Sequence, residues 1–376
     1  MKQAPSPQRG RCALRRRSDP SIHDDIISVG EIVAEEAADA ERRFPDDRRR
    51  HRAANGRGGS EAARKAAHAM HGSRMSLARE LIAWFEQFGR ATLPWRTNRD
   101  PYRIVVSEFM LQQTQVERVV PIFAAFVRQW PSFAQLGAAS QADVVRAWKG
   151  LGYNSRAVRL HRLAKVVVEE HGGLLPRDET ALRALPGVGP YTARAIAAFA
   201  FDVGVVAFDT NVRRIMHRTQ LGLEWPPLAS DAVLAELAAR LVPKARGYAF
   251  NSALMDLGAT LCTARAPKCL LCPVRAGCAA APVDPARLAA LAARHARERS
   301  PQERLPFEAT TRYVRGRVID RLRALEAQKR ISLLDLYGEL APALPHHDAA
   351  SVERVALALE RDGVIERCGD EIRLSP

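Results

Sequence analysis

From Ser76 onward the apolar and polar positions fall into a helical rhythm. SLARELIAWFEQFG spaces Leu77, Leu81, Phe85 and Phe88 along one helix face. Ser140 with Asp143 forms a capping-box pattern that opens the helix of ADVVRAWKG. Ala193 to Ala200 predicts a dense Ala-rich helix, and ASDAVLAELAARLV and FNSALMDLGATL predict two more. The period-two alternation of half-buried strands is scarce. Residues 75–280 are therefore expected to form one all-α domain.

The flanks read differently. Residues 1–74 mix RRRSDP, DDRRRHR and GRGGS with few aromatics and no sustained period, which predicts a disordered basic tail. Two readings of it stay open, an arm that searches DNA or a start codon placed upstream of a working Met75. Residues 281–305 are rich in Ala, Arg and Pro and read as a linker. In residues 306–376, RYVRGRVIDRLRAL, ISLLDLYGEL and ASVERVALALERDG predict three short helices. VIERCGDEIRLS then predicts two brief strands around Gly369-Asp370. Three helices and a hairpin suggest a small winged-helix-like domain, either a second DNA contact or a docking module, with a generic α+β cap as the alternative.

Composition narrows the function classes. With 376 residues, 47% of them hydrophobic, the chain can build two domains and a large core. No apolar run reaches the length of a membrane span, and the N-terminus lacks the apolar core of a signal peptide. A cytoplasmic, nucleoid-associated monomer is expected. The net charge is +15; residues 1–75 hold 16 Lys+Arg against 11 Asp+Glu, so +5 lies there and +10 in the remainder. That excess points to nucleic acid, where phosphate neutralisation contributes affinity, although a basic surface kept for solubility would look the same.

Four of the six cysteines cluster: Cys262, Cys269, Cys272 and Cys278 read C-x6-C-x2-C-x5-C. Thiolates this close on one loop can surround a single inorganic centre, and the loop is too tight for a disulfide framework. Zinc ribbons pair two C-x2-C knuckles across a longer loop, and only one such pair exists here. A cubane iron–sulfur (4Fe-4S) cluster is the better reading. Cys12 and Cys368 are left over without a role.

Upstream lies LPGVG, Leu185 to Gly189. Gly187 and Gly189 leave backbone N–H groups uncovered before a helix N-terminus, which suits a phosphate. Alone, the sequence would be an ordinary turn. Twenty residues past the turn's second glycine comes Asp209 in DTNV.

Taken together, LPWR (Leu93 to Arg96), SEFMLQQTQV (Ser107 to Val116), GLGY (Gly150 to Tyr153), LPGVGPYTA (Leu185 to Ala193), DTNV (Asp209 to Val212), MDLGA (Met255 to Ala259) and the four cysteines stand in the order of a known family. Over about residues 77–280 the chain resembles the helix-hairpin-helix DNA glycosylases of the endonuclease III superfamily, and within them the adenine glycosylases that act at A/G and A/8-oxoguanine mismatches. The resemblance implies two helical lobes flanking a cleft, a 4Fe-4S cluster on the loop 262–278, and double-stranded DNA with a mismatched or damaged pair as partner. Glu108 falls on the general acid that protonates adenine. Asp209 falls on the carboxylate that stabilises the oxocarbenium-like sugar, in the two-carboxylate logic of glycoside hydrolysis. An acid in that role needs an apolar pocket, and Phe109 and Met110 flank Glu108 in sequence.

Tyr191 stands where strand-cutting members carry a Schiff-base lysine, so a monofunctional glycosylase is implied, with the phenol near the sugar or Asp209. Asn211 would position the water. Gln113 and Tyr153 match positions that fill the gap or wedge at the opposite base once the target is extruded. Arg96 matches a residue lining the adenine pocket, with a surface phosphate contact as its plain alternative. The plain alternative for Asp209 is a helix N-cap, and for Glu108 an exposed carboxylate in a first helical turn. Arg265, Lys268 and Arg275 would project from the cysteine loop toward phosphates. Two departures bear on specificity. Ser252 occupies a place where the family has Glu or Gln against adenine, and residues 306–376 do not resemble the Nudix-like module that reads 8-oxoguanine. A glycosylase for mismatched thymine or an oxidised pyrimidine, and a non-catalytic DNA-binding regulator, are the competing readings.

Overall fold

A computed structural model describes residues 77–223, 225, 229–298 and 305–376. The tail read at 1–74, and Cys12 with it, lie outside the described residues.

Two apolar cores organise the chain. The first belongs to α2 (Pro94–Thr97), α3 (Pro101–Leu111), α4 (Val116–Gln129), α5 (Phe133–Ala138), α6 (Gln141–Ala147), α7 (Ser155–His171), α8 (Glu179–Ala184) and α9 (Pro190–Phe201). Val105, Phe123, Leu136, Trp148, Leu163 and Ile196 are among its fully enclosed side chains. The second gathers α1 (residues 77–88), α10 (Thr210–Gln220), α11 (Asp231–Ala239) and α12 (Gly247–Thr260), with Val274 of the cysteine loop. These are the two helical lobes expected from the resemblance. The chain enters the second lobe, builds the first, and returns.

Local chemistry sets the helix starts. Proline stands in the first turn of α2, α3 and α9, where its missing N–H costs nothing. Asp100 caps α3, Ser140 caps α6 and Asp178 caps α8 through their side-chain oxygens. At α6 the expected capping box closes differently at one end. The Ser140 hydroxyl bonds the Asp143 carboxylate at 2.6 Å, and that bond holds the Asp143 carboxyl below its ordinary value. In α1, Leu77, Leu81 and Phe85 are buried as expected, but Phe88 is exposed. The core-facing stripe is completed instead by Ala78 and Ile82, and the helix ends before a fourth turn could reach the core.

The stretch expected as a linker carries the helix α13 (Pro285–Glu298), with Leu288 buried. After it come α14 (Thr311–Ala324), β1 (Ile331–Ser332), α15 (Leu333–Leu340), α16 (Ala349–Arg361), β2 (Ile365–Cys368) and β3 (Glu371–Leu374). The sheet is antiparallel in the order β1-β3-β2, with Ile331 opposite Ile372 and Ile365 opposite Leu374. The short β1 adds a third strand to the hairpin read from the pattern. Val314, Val318, Leu336, Val355 and Ile372 of this region join the first lobe's core. Polar contacts reinforce that union: Gln141 Nε2 donates to Gly363 O at 2.6 Å and Arg323 Nε to Val145 O at 3.1 Å.

Candidate active site

Glu108 lies in the last turn of α3 and is buried, so it is not the exposed first-turn carboxylate that local sequence would favour. The reason is the α3 pattern, Ile104, Val105, Phe109 and Met110, which sinks the helix so deeply that Glu108 goes with it. Phe109 and Met110 turn into the core on other helix faces. The apolar wall beside Glu108 comes from Leu93, Trp95, Ile104 and Leu111, which share a cavity with it. Burial pushes the Glu108 carboxyl up to about 7; a hydrogen bond from Tyr191 pulls against that, the charge of Asp209 adds to it, and Arg96 subtracts. A position at a helix C-terminus acts in the raising sense as well. The Tyr191 phenol therefore donates to Glu108 rather than to Asp209. Burial, with the charges of Glu108 and Asp209, pushes its own pKa well above the ordinary value, so it stays protonated.

Asp209 is the helix N-cap that local sequence offered, and it also faces the cavity. As N-cap of α10 its Oδ1 accepts from the Val212 N–H at 2.6 Å, while Oδ2 accepts from Asn211 Nδ2 at 3.3 Å and the residue lines the same cavity as Glu108. Capping through Oδ1 and the bond from Asn211 to Oδ2 together fix the carboxylate's orientation. Asn211 is held in turn by Arg214, whose Nη2 donates to Asn211 Oδ1 and to Gly258 O, both at 2.9 Å. Gly258 is in the interior of α12, where glycine weakens a helix. A Cβ there would lie 2.8 Å from the Asn211 Cβ, and that close approach requires glycine. Asn251, fully buried, accepts from the Ala207 N–H and donates to Val205 O, which fixes the strand-like run leading into Asp209.

The cavity between the lobes is about 250 Å³ and takes Glu108, Tyr191, Asp209, Asn211, Arg96 and Ser252 into its lining. Arg96 is not a surface phosphate contact. Its guanidinium is buried and pairs in two-point fashion with Asp256, Nη1–Oδ2 at 2.7 Å and Nη2–Oδ1 at 3.1 Å, and it lies over the Phe85 ring. Arg90 Nε also donates to Asp256 Oδ1, at 2.8 Å. Burial alone would raise the Asp256 carboxyl, but the hydrogen bonds and charges of Arg96 and Arg90 outweigh it and hold it below the ordinary range. Asp256 was legible only as part of MDLGA, and Arg90 carried no signal. The Ser252 hydroxyl is fully buried at the cavity wall and has no hydrogen-bond partner among the described residues.

The hairpin is α8, the turn Leu185 to Gly189, and α9. Gly187 has φ +78°, and a Cβ there would lie 2.8 Å from the Arg159 Cβ, so this glycine is required twice over. Gly189 caps α9 with extended backbone and open space around it. Neither N–H is used internally among the described residues, leaving donors that face outward at a helix N-terminus.

Gln113 and Tyr153 are both exposed and both in the left-handed region, at φ +54° and +44°. Side chains with a Cβ rarely sit there without an enforcing structure. The enforcer is Arg156, buried, whose guanidinium donates to five carbonyls, those of Phe109, Met110, Gln112, Leu151 and Gly152. One side chain thus pins the Gln113 loop and the Tyr153 loop together. Sequence reasoning missed Arg156 because nothing local marks an arginine as a hub.

Cys262, Cys269, Cys272 and Cys278 line one cavity inside their loop. No group of His, Cys, Asp or Glu among the described residues converges tightly enough for a single metal ion. Arg218 presses on this loop: its Nη1 is 3.6 Å from Cys262 Sγ and donates to Thr263 O at 2.8 Å, and its Nη2 donates to Ala264 O at 2.8 Å. A buried guanidinium beside Cys262 suits a negatively charged, thiolate-bound group. Arg265, Lys268 and Arg275 are exposed on the loop, as expected.

Comparison with known proteins agrees with this architecture. Residues 106–242 match the family described as HhH-GPD superfamily base excision DNA repair protein. The chain is 40% identical over 295 residues to an adenine DNA glycosylase of Mycolicibacterium smegmatis, covering 77% of this chain and 93% of that protein. It is 44% identical over 212 residues to an adenine DNA glycosylase of Rattus norvegicus, covering 54% of this chain and 41% of the rat protein. Among solved structures, a thermostable thymine-DNA glycosylase superposes with a TM-score of 0.52 at 32% identity, over 56% of this chain and 97% of that one.

Proposed function

The chain belongs to the adenine DNA glycosylases of the helix-hairpin-helix superfamily, and from that premise we propose that it hydrolyses the N-glycosidic bond of adenine mispaired with guanine or 8-oxoguanine, without cutting the strand. The observation that carries this is that Glu108 and Asp209, far apart in sequence, line one interlobe cavity, where burial raises the Glu108 carboxyl to about 7. A carboxyl held near neutrality can lose its proton to a base and recover it from water.

Double-stranded DNA docks through the N–H groups of Gly187 and Gly189 and the basic loop residues, and the adenine enters the cavity. Glu108 gives its proton to the adenine ring. The bond between the sugar and the base breaks, and its electron pair leaves with the base. Asp209 faces the positive charge left on the sugar, and its capping bond keeps it there without rearrangement. Water, positioned by Asn211, adds to the sugar carbon and returns a proton to Glu108. Tyr191 orients Glu108 and cannot form an imine, so no lyase step follows. The four cysteines fit a 4Fe-4S cluster, which would supply a fixed anionic crosslink and an electron store. Arg218 and Arg214 tie that loop to α10.

A second reading has support of its own. Ser252 places a short, unpartnered hydroxyl where a longer amide or carboxyl would reach two atoms of a base edge, so a glycosylase for mismatched thymine is the runner-up. Labelled duplexes carrying A·G, A·8-oxoguanine, T·G or thymine glycol decide between them. Hot alkali should cleave only the adenine duplexes, and Glu108→Gln should abolish that cleavage while binding persists. Release of thymine but not adenine would overturn the assignment, and strand breaks without alkali would overturn the role given to Tyr191.

A further inference from the structure

Tyr153 is held by two arginines, and only one of them belongs to the glycosylase lobe. Its ring is exposed on a left-handed backbone, with the Arg156 guanidinium 5.7 Å from its centroid. Arg312, in the first turn of α14, also contacts the ring, 5.3 Å from the centroid and hydrogen-bonded to the Tyr153 hydroxyl. The next residue of the loop is gripped by the same helix: Arg323 Nη2 donates to Asn154 Oδ1 at 2.6 Å. Arg312 itself is exposed and makes no ion pair with a carboxylate among the described residues. Arg156 enforces the strained backbone through its bonds to the Leu151 and Gly152 carbonyls, while the contacts of Arg156 and Arg312 with the ring clamp a side chain that burial does not hold.

We infer that Arg312 is a positioning residue through which the C-terminal region sets the pose of Tyr153 at the base opposite the extruded adenine. The inference rests on the wedge reading of Tyr153 given above. Mechanistically, the ring must enter the stack in one orientation when the adenine leaves. A planar guanidinium bonded to its hydroxyl fixes ring rotation, which an isolated tyrosine on a loop would lose as entropy at that moment. Because α14 shares its core with the first lobe, the clamp is rigid.

The test measures binding of the full chain to duplexes bearing an uncleavable abasic-site analogue opposite guanine or 8-oxoguanine, across a salt series, for the wild type and for Arg312→Ala, Arg312→Lys, Tyr153→Ala and the Arg312→Ala/Tyr153→Ala double variant. Arg312→Ala should weaken binding about 2- to 5-fold, the scale of one exposed cation–π contact. The slope of affinity against salt should stay unchanged. Arg312→Lys should stay impaired, because an ammonium cannot offer the planar face. In the Tyr153→Ala background, Arg312→Ala should cost nothing more. Additive losses in the double variant would overturn the proposal. So would rescue by lysine together with a salt slope smaller by about 0.9, the result for a plain phosphate contact. If Tyr153→Ala alone binds normally, the wedge reading fails first, which separates that failure from a failure of the clamp. Unfolding midpoints of Arg312→Ala near the wild type's exclude simple loss of fold.

Discussion

Replacing Glu108 with glutamine should stabilise the folded protein above neutral pH while removing its activity. The folded carboxyl titrates near 7 against an ordinary value of 4.5, because burial disfavours its charged form. Between those two pH values the native state holds a proton that the unfolded chain has lost. The favourable contribution is therefore complete below the lower value and falls as pH rises through the upper one. The difference is worth about 3 kcal/mol at about 1.4 kcal/mol per unit. Glutamine is isosteric, can still accept the Tyr191 hydrogen bond, and has no charge to bury. The variant should match the wild type most closely below pH 4.5 and gain progressively to pH 8, where its urea midpoint should lie higher by about 1 M for a slope of about 3 kcal/mol/M. Urea unfolding followed by circular dichroism at pH 5 and pH 8 measures this directly. Parallel stability profiles for the two proteins would refute the burial argument, and with it the reason Glu108 can serve as an acid at neutral pH.

The same titration predicts that single-turnover adenine release declines as pH rises through about 7, since the acid loses its proton there; a flat profile from pH 6 to pH 9 would contradict it. Asp209→Asn keeps an N-cap of equal quality but removes the negative charge, so release should fall by roughly 10²–10³-fold at nearly unchanged unfolding midpoint; a large loss of stability would mean that capping is the residue's whole contribution. Gly258→Ala should destabilise the protein by about 1–3 kcal/mol and lower the rate together, because the new methyl meets Asn211, and calorimetry with a rate assay reads both. Cys269→Ser should lose the brown chromophore and DNA affinity in step; full affinity in a colourless variant would count against the loop's role as a scaffold for its cations.

Helical class, the cysteine quartet, the glycine hairpin turn and the two carboxylates were all legible in the chain, for a physical reason common to them. Each depends on residue type at short spacing: the 3.6-residue stripe, thiols on one loop, glycine where a turn needs positive φ, Asp ahead of a helix. What Glu108 and Asp209 do was not legible one residue at a time, since local rules favour a solvated carboxylate and an ordinary cap. Only folding brings them to one cavity, and only burial moves the Glu108 proton into the neutral range. Tertiary structure alone decided that Tyr191 bonds Glu108, that Asp256 locks Arg96 to Arg90, and that one buried arginine, Arg156, strains two distant loops into place. Those contacts join residues whose separation along the chain is unrelated to their distance in space, and no periodicity or spacing along the sequence records them.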